Sequence, residues 1–235
     1  MADMDRTSTF PTATAEAERV TLFLRSVYGW MCAGLGVTAV VAYVIASSPA
    51  LAGALVANRF LFLLLFLAQL GVVFVLSARV DRLAPRTATL LFIGYAALTG
   101  VTFAVILLAY TGASIASTFV VTAGMFGALA VYGTTTSRSL AGVGQFLYMG
   151  LIGLVLATLL GMFWQNDALQ FLISVVGVIV FTGLTAWDAQ RLKLMATQIP
   201  DAQLGSYAIL GALSLYLNFI NLFLFLLRFM GGRRQ

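Results

Sequence analysis

The chain has 235 residues, 61% of them hydrophobic and 9% charged, against roughly 45–50% and about 25% in soluble domains, and its mean hydropathy of +1.02 excludes both an ordinary soluble domain and a disordered one. With no His, one Cys (Cys32) and one Lys (Lys193) that no Gly-rich run precedes, it also excludes Ser-His-Asp and Cys-His catalysis, imidazole or thiolate zinc sites, an internal disulfide and a phosphate loop. The net charge of +5 comes without a basic cluster interleaved with stacking aromatics, so nucleic acid is not an expected partner and the cations report membrane topology instead.

Residues 1–25 form a polar segment with Asp3, Asp5, Glu16, Glu18 and three Arg, and lack the apolar core and small-residue cleavage site of a secretory signal. They are expected to be a cytoplasmic tail. Residues 26–230 form the membrane domain, and 231–235 a short basic tail. Seven apolar runs are long enough to cross a hydrocarbon core of about 30 Å: Tyr28–Ala46, Phe60–Leu76, Leu90–Tyr110, Ile115–Tyr132, Val143–Met162, Leu169–Trp187 and Ser206–Phe229. Between them lie loop residues, among them Ser47-Ser48-Pro49, Arg82 to Pro85, Gly112 to Ser114, Thr134 to Arg138, Gln165 to Asp167 and Pro200-Asp201. Strands are excluded because runs such as Leu61 to Leu67 do not alternate. The fold class is therefore an all-α integral membrane protein of seven helices. Small residues four apart, such as Gly29 and Ala33, Gly100 and Ala104, Ala123 and Gly127, and Gly124 and Ala128, suit close helix approach.

With the N-terminus inside and seven spans, nine Lys and Arg fall inside and four outside, which orients the N-terminus to the cytoplasm. If the last apolar segment re-entered instead of crossing, the count would be twelve to one, and this alternative stays open.

Within or bordering the runs one ionisable residue is a clear anomaly. Asp188 ends Phe181-Thr-Gly-Leu-Thr-Ala-Trp-Asp188, and a carboxylate in a membrane is costly enough to mark a functional candidate. The competing account is a solvated carboxylate at the interface, near Arg191. In the last span Gly211, Ser214, Asn218 and Asn221 recur at helical spacing as one polar stripe. Helical rise brings Asp188 and Asn218 to within about one turn of the same depth, so the two stripes can face each other. Retinal chemistry is excluded because no Lys lies in the last span. Aspartyl proteolysis needs two carboxylates at one site, and Asp81, Asp167 and Asp201 fall in loops. No enzyme activity and no cofactor are expected.

The segment Thr185-Ala-Trp-Asp188-Ala-Gln-Arg-Leu-Lys193, followed by Gly211-Ala-Leu-Ser-Leu-Tyr216-Leu-Asn218-Phe-Ile-Asn221-Leu-Phe-Leu-Phe-Leu-Leu-Arg228, resembles the signature of the Bax inhibitor-1 family, the transmembrane Bax inhibitor motif proteins, in a bacterial member. That resemblance implies three antiparallel helix pairs around a central last helix, forming a pH-sensitive calcium leak. It also implies a carboxylate at the position of Asp188, often a second at that of Asn218 sharing its proton, and an Arg latch near the second span, for which Arg79 or Arg82 is the match. Asn218 departs from that pattern: an amide keeps an oxygen ligand but removes a charge and a proton site.

The expected function is thus an inner-membrane, pH-modulated cation leak, with calcium as its cargo and the bilayer as its surroundings. Asp188 would titrate and contact calcium, with Asn218, Asn221 and Ser214 lining the path. The rival is a non-transporting regulator that binds another membrane protein, such as a membrane protease.

Overall fold

A computed structural model describes residues 13–161 and 166–232. Residues 1–12, 162–165 and 233–235, with Met162 of the expected fifth span, Gln165 of the expected fifth loop, and Arg6, Arg233 and Arg234 of the charge count, lie outside them. Among the described residues eight α-helices follow in order: α1 (Ala13–Ala46), α2 (Pro49–Ala57), α3 (Arg59–Arg79), α4 (Pro85–Ala109), α5 (Gly112–Thr135), α6 (Ala141–Gly161), α7 (Asp167–Gln198) and α8 (Leu204–Met230). All except the short α2 are long and apolar enough to cross a membrane, and among the described residues there is no strand.

Local chemistry sets the boundaries. Pro49 and Pro85 open α2 and α4, where a missing N–H costs nothing. The side chains of Asn58, Thr111 and Asn166 accept from backbone N–H groups in the first turns of α3, α5 and α7. The spacer after Ser48, expected to be a loop, contains the single-minded apolar run that makes α2.

At 1.5 Å per residue, α1 and α7 are about 51 and 48 Å long, well beyond a hydrocarbon core of about 30 Å. Both overhang at the end that carries residues 13–25, so the inner part of the expected tail is helix continuous with the first span. The overhangs are tied together. Arg19 on α1 donates to the Ala196 carbonyl (2.9 Å) and to the Ile199 carbonyl, and pairs with Asp201 at 3.1 Å, which places a cation on the negative end of α7.

α8 is the central helix. In its most apolar stretch 72% of residues are buried, against 6% for α3. α1 packs on α4 and α8, α5 on α7 and α8, α6 on α7, and α3 chiefly on α4. α8 begins where Ser206 Oγ donates to the Leu83 carbonyl (2.7 Å). It ends where Gly232 meets Thr111 and Ser114 between α4 and α5. One unbroken helix therefore joins opposite ends of the bundle, and the last segment crosses rather than re-enters.

Of the small residues at fourfold spacing, Gly100 alone among the glycines is used for close approach, since a Cβ there would lie 2.8 Å from the Thr38 carbonyl. Gly29, Gly124 and Gly127 face open space instead, because their helices turn those sides away from the bundle. Other glycines that admit neighbouring helices include Gly34 (against Phe92), Gly133 (Ala186), Gly144 (Trp187), Gly177 (Phe225), Gly183 (Leu147) and Gly211 (Leu192).

Candidate functional site

The antiparallel seam between α7 and α8 carries the site. Leu192 lies on Gly211, Asp188 on Asn218, and Phe181 and Gly177 on Phe225, so falling numbers on α7 meet rising numbers on α8. Glycine at 211 and 177 removes the Cβ that would hold the helices apart. Between them Asn218 Nδ2 donates to Asp188 Oδ2 at 2.7 Å. Asp188 is 8% exposed and Asn218 6%. Asp188 is therefore buried inside the bundle and not solvated at the interface. Arg191 lies exposed, with its guanidinium over the Trp187 ring, 5.5 Å from the centroid.

The other members of the expected stripe are placed differently. Asn218 meets Asp188 through its amide nitrogen, not its oxygen. Asn221 donates to the Leu217 carbonyl of its own helix at 2.8 Å, and Ser214 is half-buried. Thr185, one turn from Asp188, donates to the Phe181 carbonyl at 2.7 Å. Neither latch candidate reaches the pair. Arg79 closes α3, Arg82 sits in the turn Val80–Arg82, and both are exposed. Their neighbour Asp81 instead accepts from the Tyr207 hydroxyl at the start of α8.

Among the described residues no three His, Cys, Asp or Glu gather into a metal cluster. The site has one carboxylate and amides, too few anionic oxygens to hold calcium, which takes six to eight oxygen ligands. A cleft of about 410 Å³ lies elsewhere, between α1 and the start of α8, lined by Glu18, Leu22, Phe23 and Leu204 among others.

Sequence reasoning missed most of what the rest of the signature does. Gln190 uses both ends of its amide on the α5–α6 connection: its oxygen accepts from Leu140 N (2.8 Å) and its nitrogen donates to the Arg138 carbonyl (2.9 Å). Lys193 Nζ donates to the Thr134 carbonyl at the end of α5 (2.7 Å). Trp187 packs on Gly144 and edgewise on Tyr148 of α6. A second polar layer joins α1, α4 and α8 through Thr38 and Tyr216, and Gln69 of α3 points at Thr99 and Thr102. Gln69 was findable, because it is the one polar residue between Phe60 and Leu76; the Thr and Tyr hydroxyls leave no mark on hydropathy.

Residues 20–235 match the family model described as inhibitor of apoptosis-promoting Bax1. The inner membrane protein YbhL of Escherichia coli K12 is 52% identical over 215 residues, covering 90% of this chain and 92% of its own. An uncharacterized protein of Borreliella burgdorferi is 43% identical, covering 91% and 93%. Another, of Rickettsia prowazekii, is 38% identical over 236 residues, covering 99% and 100%.

Proposed function

The chain belongs to the Bax inhibitor-1 family, a premise from which we propose that this membrane protein is a slow, pH-modulated cation leak with calcium as its cargo and Asp188 as its titrating gate. The observation that carries the reading is the buried hydrogen bond between Asp188 and Asn218 on the two helices that pack along the centre of the bundle.

A neutral carboxyl bonded to one amide suits a dry, closed seam. An ionised carboxylate there costs several kcal/mol unless water or a cation reaches it. Deprotonation therefore favours a hydrated seam, and flux rises with pH. In the open state Asp188 supplies one carboxylate, Asn218 and Asn221 supply carbonyl oxygens once their amides turn, and water completes the shell. A site so short of fixed anions passes calcium without retaining it. No catalytic step and no cofactor are part of this proposal.

We place the protein in the inner membrane with its N-terminus in the cytoplasm. YbhL is named an inner membrane protein, and the orientation rests on Arg19, Arg25, Arg79, Arg82, Arg86, Arg138, Arg191 and Lys193, which belong to the end of the bundle where α1 begins.

The test is calcium entry into liposomes that contain only the purified protein. Entry above that of protein-free liposomes, increasing with pH, supports the leak. No entry at any pH overturns it and leaves a regulator that acts by binding another membrane protein.

A further inference from the structure

α8 is held by polar bonds on two faces at one depth. Tyr216 precedes Asn218 by two residues, about 3 Å along the axis and about 200° around it. It is fully buried, and its hydroxyl lies 2.6 Å from Thr38 Oγ1 on α1. Thr38 Oγ1 in turn lies 2.9 Å from the Ala96 carbonyl of α4 and 3.0 Å from the Gly34 carbonyl of α1. Carbonyls only accept, so the Thr38 proton goes to one of them and Tyr216 donates to Thr38.

The ring is fixed as well. Phe92 and Tyr95 of α4 stand edgewise to it, with centroids at 5.7 and 5.8 Å. Room for this arrangement depends on two glycines. A Cβ at Gly34 would lie 2.9 Å from Phe92 Cε1 and 3.4 Å from Tyr216 Cδ2, and one at Gly100 would lie 2.8 Å from the Thr38 carbonyl. A buried phenol that loses its partner is left unsatisfied, so a rotation of α8 that breaks this bond is expensive. The phenol oxygen also stands further from the helix axis than the Asn218 amide. Any rotation that displaces the amide displaces the hydroxyl more.

We infer that Tyr216 is a positioning residue: by donating to Thr38 it fixes the rotation of α8 that aims the Asn218 amide at Asp188. Its consequence for flux rests on the reading of Asp188 as the gate; its consequence for geometry does not. The titratable groups in this layer are Asp188 on α7, with Arg191 one turn away, and Tyr95 on α4 beside Tyr216.

The experiment uses the full chain in lipid bilayers and reads the Asp188 carboxyl band by infrared difference against Asp188→Asn, alongside calcium flux against pH. Tyr216→Phe keeps the ring and Thr38→Val keeps the shape, and each removes the bond. Both are expected to move the Asp188 band and to shift the pH midpoint of flux upward by about 0.5–1 unit, because the ionised carboxylate then has a weakened donor. Thr38→Ser retains the hydroxyl and is expected to match wild type in both. Thr38→Val keeps the test open if Tyr216→Phe does not fold. An unchanged band in the folded variants overturns the positioning role, as does a band that moves equally in Thr38→Ser. Absence of flux in wild type would instead defeat the leak reading, while the band still decides the geometry.

Discussion

At Asn218 an amide faces the buried carboxyl of Asp188 across 2.7 Å, a distance at which two carboxylates could not both ionise cheaply. Asn218→Asp creates that pair. Its titration is expected to split into two macroscopic steps, which broadens the pH profile of flux, and calcium is expected to bind more tightly once both groups are ionised. A profile as sharp as that of wild type would mean that residues 188 and 218 do not share a site when the protein conducts. Asn218→Ala controls for the lost amide and leaves Asp188 without its donor, at a cost of about 1–3 kcal/mol in stability. Gln190 makes a second prediction at this scale. Gln190→Ala unpairs Leu140 N and the Arg138 carbonyl, and because that connection touches water the loss is expected to be about 1 kcal/mol, seen as a lower Tm in detergent. An unchanged Tm would mean that solvent replaces the clamp fully.

Between elements, the packing of α5 on α7 depends on Gly133, where a Cβ would overlap the Ala186 backbone two residues before Asp188. Gly133→Ala is expected to cost about 1–3 kcal/mol by overpacking, whereas Gly124→Ala, on the open side of the same helix, is expected to be tolerated. Thermal unfolding of both in detergent decides, and equal loss would contradict the packing described. The same contrast explains what could be read from sequence. The seven spans were legible because apolar runs of about 20 residues have one physical use, and α3 and α8 lie within a few residues of the runs that announced them. The helical start of α1 was not, since its residues are polar and hydropathy is silent on them, whereas the continuation of α7 to about residue 196 was. Glycine spacing placed Gly100 and failed for Gly29 and Gly127, because spacing along one helix does not say which side meets a neighbour. In the site, Asp188 and Asn218 were legible from depth and stripe. The turn of Asn221 back onto Leu217 and the exposure of Arg79 and Arg82 at the end of α3 and in the turn after it required the fold.

For the whole molecule, a central α8 ringed by helices with outward Phe, Leu and Val, such as Phe60, Phe74, Phe146 and Leu160, describes a body solvated by lipid on its sides and by water at two ends. The orientation proposed for it is open to a direct check. In a Cys32→Ala background, cysteines replacing Arg82 and Ala202 are expected to react with an impermeant reagent from the cytoplasmic face, and one replacing Ala57 from the opposite face. Labelling of positions 82 and 202 from outside only would invert the topology. The claim on which the rest of the account depends is that Asp188 gates a calcium leak, and its most direct test is calcium entry into liposomes against pH for wild type and Asp188→Asn. The amide can hold the hydrogen bond to Asn218 but cannot ionise, so the account predicts flux that rises with pH in wild type and is nearly flat in the variant. The same pH profile in both would contradict it.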